Sequence, residues 1–277
     1  MGSVKFWIIL IFCLAFFDLS AQKSADKLLE SILPPGCNKI GNDFFIDQIE
    51  VSNIVWLEFL AYLKANSPEQ YLANLPDTTV WTEGGYGYLG SFVDPYYVYY
   101  LSYPGFRFYP VVGVSYEQVL NFCAWRSNAV TEKFNLHKKR KFKNYEVEFS
   151  FRLPTKAEWE QAARSDNDPV YGFSPLKAKD AKLYPSGYPA NYKKEKRNPE
   201  NASLITEYVY AYPRNTYGLY NMIGNVAEMV ADKGIAKGGS WTDKLEDCAI
   251  DKQKTYTAPT AWLGFRCVCT VALKPLP

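Results

Sequence analysis

Apolar residues recur at helical spacing in three stretches, all within the first 165 residues of this 277-residue chain. In residues 52–64, SNIVWLEFLAYLK, the side chains of Val55, Phe59, Tyr62 and Leu63 fall near one face behind a Ser or Asn cap, which predicts an amphipathic helix. Residues 115–134 open with Ser115 and Gln118 at capping-box spacing, and Val119, Phe122, Cys123 and Val130 follow as the apolar face. A third helix starts at the box Thr155 and Glu158 and buries Trp159, Ala162 and Ala163. Pro154 ahead of it ends the strand FSFRL.

Beyond residue 165 the chain is rich in Gly, Pro, Asn and Tyr, with short apolar runs, which predicts loops and short strands. The last strong strand signal is GFRCVCTVAL, where alternation puts Phe265, Cys267, Cys269 and Val271 on one face and Arg266, Val268 and Thr270 on the other. Between the first two helices lies an insertion at 75–110, dense in Tyr and Gly and too aromatic for a disordered linker. Its rings either roof an otherwise thin core or offer an adhesive surface.

The N-terminus changes the compartment. An early Lys5, an apolar run from Phe6 to Phe17, and the small residues Ser20 and Ala21 make residues 1–21 a secretory signal cleaved near Ala21. Asp18 interrupts the run before it reaches membrane-spanning length, and no later stretch is long and apolar enough to span. Cys13 sits inside the apolar run, so no lipid anchor is expected. The expected layout is a signal at 1–21, an extension at 22–43 and one domain at 44–277. Export permits disulfides among Cys37, Cys123, Cys248, Cys267 and Cys269, an odd set that leaves one thiol over.

Charge and histidine content close several classes. A formal net charge of +2 gives no bulk case for nucleic acid, and the basic run HKKRKFK at 137–143 reads as a solvated loop. A His-based zinc or iron centre needs two or three imidazoles, and His137 is the chain's single histidine. No Gly-rich phosphate loop is present either, since GGYG lacks the helix and Lys that should follow it.

Six motifs then fall into one order: IDQIEVSNIVWLEFL, YPVVGVSYEQVLNFCAWR, FRLPTKAEWEQAAR, NTYGLYNMIGNVAEM, KGGSW and GFRC. From about residue 44 to 269 they resemble the successive signatures of the formylglycine-generating enzyme, or sulfatase-modifying factor, family. The resemblance implies an α+β, C-type-lectin-like fold with little regular secondary structure. It also implies a chemistry in which copper, held by two cysteine thiolates, oxidises a substrate cysteine to formylglycine. In the family the first thiolate lies three residues past the Ser of GGS and the second five further on; counted from Ser240, these positions are Asp243 and Cys248. A soft cuprous ion needs both sulfurs. The reading is therefore a non-catalytic member without copper, with Cys248 a small semi-buried residue or structural disulfide partner and Asp243 a turn or hydrogen-bonding residue. The alternative is a cysteine oxidase or related oxidoreductase using Cys248, with Cys37 or Cys269 approaching it in space.

Other family features carry over residue by residue. Cys123 and Cys267 match the core disulfide. The side chains of Asn221 and Glu228 with the carbonyls of Gly224 and Val226 match a calcium site, an oxygen-only set suited to a hard cation. A second calcium site would use Asn191, the carbonyl of Tyr192, Asn201 in place of an acidic residue, and the carbonyl of Ser203. Ala227 and Met229 stand where the family's GNVWEW has aromatic residues of the substrate groove. The stretches LPDTTVW, DPYYVYYLSYPGFRFYPVVGVSYEQ and GNVAEM most resemble the gliding-motility and type IX secretion lipoproteins of the bacterial envelope. That resemblance implies an exported, periplasmic or outer-membrane-associated component acting through envelope protein partners. A carbohydrate-binding module is a third reading, suggested by the lectin-like fold and calcium.

Overall fold

The computed structural model describes residues 25–41, 44–82, 94–164, 168–173, 188–193 and 205–276. The expected signal segment 1–21, residues 83–93 of the insertion, and Asn201 and Ser203 lie outside them. Helix α1 covers residues 25–30 and leads into β1 (Cys37–Ile40) and β2 (Phe44–Asp47). These strands pair antiparallel, Cys37 opposite Asp47, so the segment read as an extension supplies an outer strand of the first sheet.

Helix α2 (Asn53–Asn66) buries Trp56, Phe59, Leu60 and Leu63, an i, i+3, i+4, i+7 stripe. The stripe is rotated from the expected one: Tyr62 is 48% exposed and Val55 only half-buried. The reason is the partner helix α5 (Tyr116–Leu136), whose Phe122 stacks on Trp56 at 5.4 Å between ring centroids while Phe59 meets the same ring edge-on. Between them lie α3 (Pro68–Ala73) and α4 (Asp94–Tyr99). The capping box of α5 forms as expected, and Gln118 also donates to the carbonyls of Ala73 and Leu75, tying the helix start to the end of α3.

The outer face of α5 is stitched to β3 (Tyr145–Arg152). Ser127, Thr131 and Asn135, one turn apart, accept from the backbone N–H groups of Phe151, Phe149 and Val147 at 2.8, 2.9 and 3.0 Å. Four residues of helix advance about 6 Å and two residues of strand about 7 Å, so the two ladders keep step. Since β3 is the edge of its sheet, these side chains close an edge that would otherwise present unpaired N–H groups. Helix α6 (Lys156–Ala163) follows, with its Thr155–Glu158 box intact and Trp159, Ala162 and Ala163 buried. Glu158 also takes a two-pronged bond from Arg152.

The first sheet runs β1-β2-β8-β3, with β8 (Val268–Pro275) antiparallel to β2 and β3. The second runs β6-β5-β4-β7, from β4 (Ala227–Met229), β5 (Ile235–Lys237), β6 (Lys254–Thr255) and β7 (Leu263–Gly264). The single expected strand at GFRCVCTVAL is two: β7 belongs to one sheet and β8 to the other. Phe265, Arg266 and Cys267 cross between them, held where Val51 N–H donates to Phe265 and Asp47 N–H to Cys267. The face assignment stands, since Phe265, Cys267 and Cys269 pack into one core and Val268 into the other. Both helices and sheets are present with long irregular connections, which is the expected α+β class.

The insertion divides. Tyr100 and Trp81 are buried and, with Phe106 and Tyr109, build a third small core against Val226 and Trp241. Tyr97, Tyr99, Tyr103 and Phe108 face outward.

Candidate functional site

Gly238 and Gly239 both take positive φ (85° and 63°), and Cys248 packs so closely on Gly239 that a Cβ there would overlap its sulfur. This turn delivers Ser240 into the interior, where its hydroxyl donates to Asp243 Oδ2 at 2.6 Å. From β6, Lys254 Nζ donates to both carboxylate oxygens of Asp243 at 2.7 Å and sits 3.7 Å above the Trp262 ring. Asp243 is thus the hydrogen-bonded turn residue that was expected, with an ion pair to Lys254 added.

Cys248 closes a short 3-10 turn (Leu245–Cys248), and its thiol donates to the Lys244 carbonyl at 3.3 Å. Burial, reinforced by Asp243, pushes its pKa up to about 12, so at neutral pH it is a thiol and not a thiolate. Cys37, Cys123, Cys267 and Cys269 lie together in the other hydrophobic core, so neither Cys37 nor Cys269 supplies the second sulfur. The arrangement can hold an ammonium against a carboxylate. It does not present two thiolates to a soft metal.

Cys123 and Cys267 face one another with sulfurs 3.7 Å apart, in contact but unbonded, as are all five described cysteines. Around them Arg126 grips Asp47 with two 2.7 Å bonds, and Asp47 accepts from the Cys267 N–H at 2.8 Å.

The NMIGNVAE turn folds through three left-handed residues, Asn221 (φ 50°), Gly224 (75°) and Asn225 (62°), and at Gly224 a side chain would collide with the Asn191 carbonyl. Glu228 points inward and is clasped by Arg266 at 2.6 and 2.7 Å and by the indole N–H of Trp159 at 2.7 Å. Asn221 and Asn225 donate to a residue that sequence reasoning missed, Glu50, which is wholly buried. The two ion pairs Arg126–Asp47 and Arg266–Glu228 engage both guanidiniums directly, and Glu50 is left with amide donors as its direct side-chain partners. Burial pushes its pKa up to about 8. Asn221 Oδ1 is buried without a hydrogen-bond partner.

A surplus buried carboxylate next to an orphaned amide oxygen is a donor set that fits a hard cation. Glu50 and Asn221 are the side chains that would hold calcium, whereas the expected ligand Glu228 has both carboxylate oxygens taken by Arg266 and Trp159. Among the described residues no three His, Cys, Asp or Glu side chains gather around one point, so such a site rests on one carboxylate with amide and carbonyl oxygens. The signal available for Glu50 was an acidic residue between Ile49 and Val51, two places before the α2 cap. Asn191 is buried and already engaged, its amide donating to the Ile205 carbonyl at 2.8 Å and its carbonyl accepting from Asn225 N–H. With Asn201 and Ser203 outside the described residues, the second calcium site stays an expectation.

Among the described residues no helix is long and apolar enough to cross a membrane. Compared with known proteins, the chain is 28% identical over 188 residues to the bovine inactive C-alpha-formylglycine-generating enzyme 2, covering 60% of this chain and 52% of that protein. It is 28% identical over 190 residues to the mouse formylglycine-generating enzyme, covering 57% and 44%. The chain thus spans about half the length of these curated relatives. Among solved structures, PvdO from Pseudomonas aeruginosa matches with a TM-score of 0.49 at 19% identity, over 82% of this chain and 80% of that one. The model of the sulfatase-modifying factor enzyme 1-like domain matches residues 18–271, and the chain belongs to that family.

Proposed function

We propose that this protein is a non-catalytic member of its family, exported and acting through protein contacts in the bacterial cell envelope. The observation that carries the reading is the Asp243–Lys254 ion pair, standing where the family resemblance calls for the first copper thiolate. A carboxylate already neutralised by an ammonium is a poor partner for a soft cation, and the remaining thiol of Cys248 is protonated and turned to a backbone carbonyl. An inactive relative, at the same 28% identity as the active mouse enzyme, is consistent with the same reading.

The contact surface is the exposed half of the insertion. Phe108 meets Tyr208 at 5.9 Å and Tyr208 meets Tyr210 at 5.4 Å, so rings from two segments join into one exposed aromatic strip. Large rings with few torsions favour interfaces. The reading places the mature chain in the periplasm or at the outer membrane, in assemblies of the gliding-motility or type IX secretion type, with calcium as a structural ion around Glu50 and Asn221.

The test has two arms. Mature protein supplied with cuprous ion, reductant, oxygen and a cysteine-containing sulfatase peptide should produce no formylglycine by mass spectrometry; turnover would return the oxidase reading through Cys248. In cells, fractionation with N-terminal sequencing should find a chain starting at Gln22 outside the cytoplasm, cross-linked to envelope proteins through residues near Phe108 and Tyr208. A cytoplasmic, unprocessed chain would defeat the envelope assignment.

A further inference from the structure

Directly after α5 five cations fall within six residues: Lys138, Lys139, Arg140, Lys141 and Lys143. Their backbone is fixed. Residues 140–142 form a 3-10 turn, and Phe142 is buried with its ring 5.5 Å from that of Phe134. Lys138 Nζ donates to the Tyr145 carbonyl at 2.7 Å and Lys141 Nζ to Ser31 Oγ at 2.6 Å. Both bonds end on neutral oxygens, so neither ammonium is neutralised. The surface cations Lys156, Arg164, Lys233, Lys244 and Lys274 each meet a carboxylate, whereas among the described residues none pairs with a cation of this run. The adjoining elements add Lys27 and Lys133, and the acidic residues Asp26, Glu30, Glu58, Glu132 and Glu146. Seven cations thus stand against five carboxylates, with the excess gathered in the run.

Exposed leucines surround the same run. Leu136, the last residue of α5, is 77% exposed; Leu33, two residues beyond the Ser31 that holds Lys141, is 65% exposed. Leu276, 44% exposed, is held beside Lys143 by its N–H donating to the Asn144 carbonyl at 2.9 Å. A scattered exposed leucine needs no explanation. Three around one unpaired basic run combine the two forces that hold a protein on a bilayer, attraction to anionic headgroups and burial of apolar side chains among the acyl chains. A nucleic acid fits less well, because the ring inside the run, Phe142, is buried and offers no face for a base to stack on.

We propose that residues 138–143, with Leu33, Leu136 and Leu276, form a peripheral contact for membranes rich in anionic phospholipid. This goes beyond the envelope reading, which rests on protein contacts, and the test on purified protein does not depend on that reading. The probe is vesicles of phosphatidylglycerol and phosphatidylcholine in equal amounts, followed by co-sedimentation, with phosphatidylcholine vesicles alone as the comparison. The mature chain should bind the mixed vesicles saturably, ignore the neutral ones, and detach in about 1 M salt, where the Debye length falls to about 3 Å. Lys139→Gln with Arg140→Gln, both exposed, should weaken binding about thirtyfold, since each basic residue near an anionic membrane contributes about fivefold. Leu136→Gln should weaken it about tenfold through the lost apolar burial, and Lys252→Gln with Arg214→Gln, outside the run, should change it less than twofold. Melting temperatures should match the wild type in all three; the lipid and salt comparisons on the wild type decide the case if a variant fails to fold. Absence of saturable binding, equal binding to neutral vesicles, or an effect of the Lys139 and Arg140 pair below twofold would overturn the proposal. So would binding to heparin together with vesicle binding that Leu136→Gln leaves unchanged, which would mark the run as a contact for soluble polyanions.

Discussion

Replacing Lys254 with Met keeps an aliphatic stem over Trp262 and removes the ammonium alone, which isolates the ion pair at the heart of the altered site. Two 2.7 Å charge-assisted bonds to Asp243 are lost. Hydrogen bonds to charged groups contribute about 1.5–3 kcal/mol when buried, and an ammonium over an indole adds about 0.5–1 kcal/mol. The side chains of Lys254 and Asp243 are 27% and 17% exposed, so water can partly re-solvate the carboxylate, and Ser240 still donates to it. The net expectation is a loss of about 2 kcal/mol, above the 0–1 kcal/mol of a fully solvated surface pair. Urea unfolding should show a lowered midpoint with unchanged slope, and for a domain of this size the melting temperature should fall by about 4–8 °C. The double variant Asp243→Asn with Lys254→Met should recover about 1 kcal/mol or more of coupling. A loss below about 0.5 kcal/mol, or no coupling, would mean that the pair is solvated and that the site is open to other ligands.

Three further outcomes follow from other parts of the molecule. Thr131→Val leaves the Phe149 N–H without its acceptor and should cost about 1–3 kcal/mol; a cost within 0.5 kcal/mol in urea unfolding would show that water satisfies the β3 edge. Calcium should raise the melting temperature of chelator-treated protein, and Glu50→Gln should remove that increment; identical melting with and without calcium would exclude the ion from the Asn221–Glu228 turn. Iodoacetamide at pH 8 should leave Cys248 unmodified in native protein and label it after unfolding, because burial holds the thiol well above that pH; rapid native labelling would contradict its packing against Gly239.

The parts of the fold written in local chemistry could be read directly. Two capping boxes set the starts of α5 and α6, and the apolar spacing behind them named Val119, Phe122, Cys123, Trp159, Ala162 and Ala163 correctly. The stripe of α2 was misplaced because periodicity alone cannot tell which side faces α5; the stacking of Trp56 on Phe122 decides that. GFRCVCTVAL reads as one strand because burial is continuous across it, while the change of sheet depends on Asp47 and Val51, far away in sequence. The ladder of Ser127, Thr131 and Asn135 was invisible for the same reason, since polar residues on a helix read as a wet face until an edge strand lies beside them. At the site, counting from Ser240 located Asp243 and Cys248, but Lys254 and Glu50 required the fold to bring them in.

The most direct test of the central claim is a titration of the mature protein with cuprous ion against a competing chelator, run on the wild type and on Cys248→Ser. The account predicts no tight binding in either, because Asp243 is held by Lys254 and Cys248 is a lone protonated thiol. Tight one-to-one binding in the wild type that disappears in Cys248→Ser would contradict it, and would mean that another residue completes a working copper site.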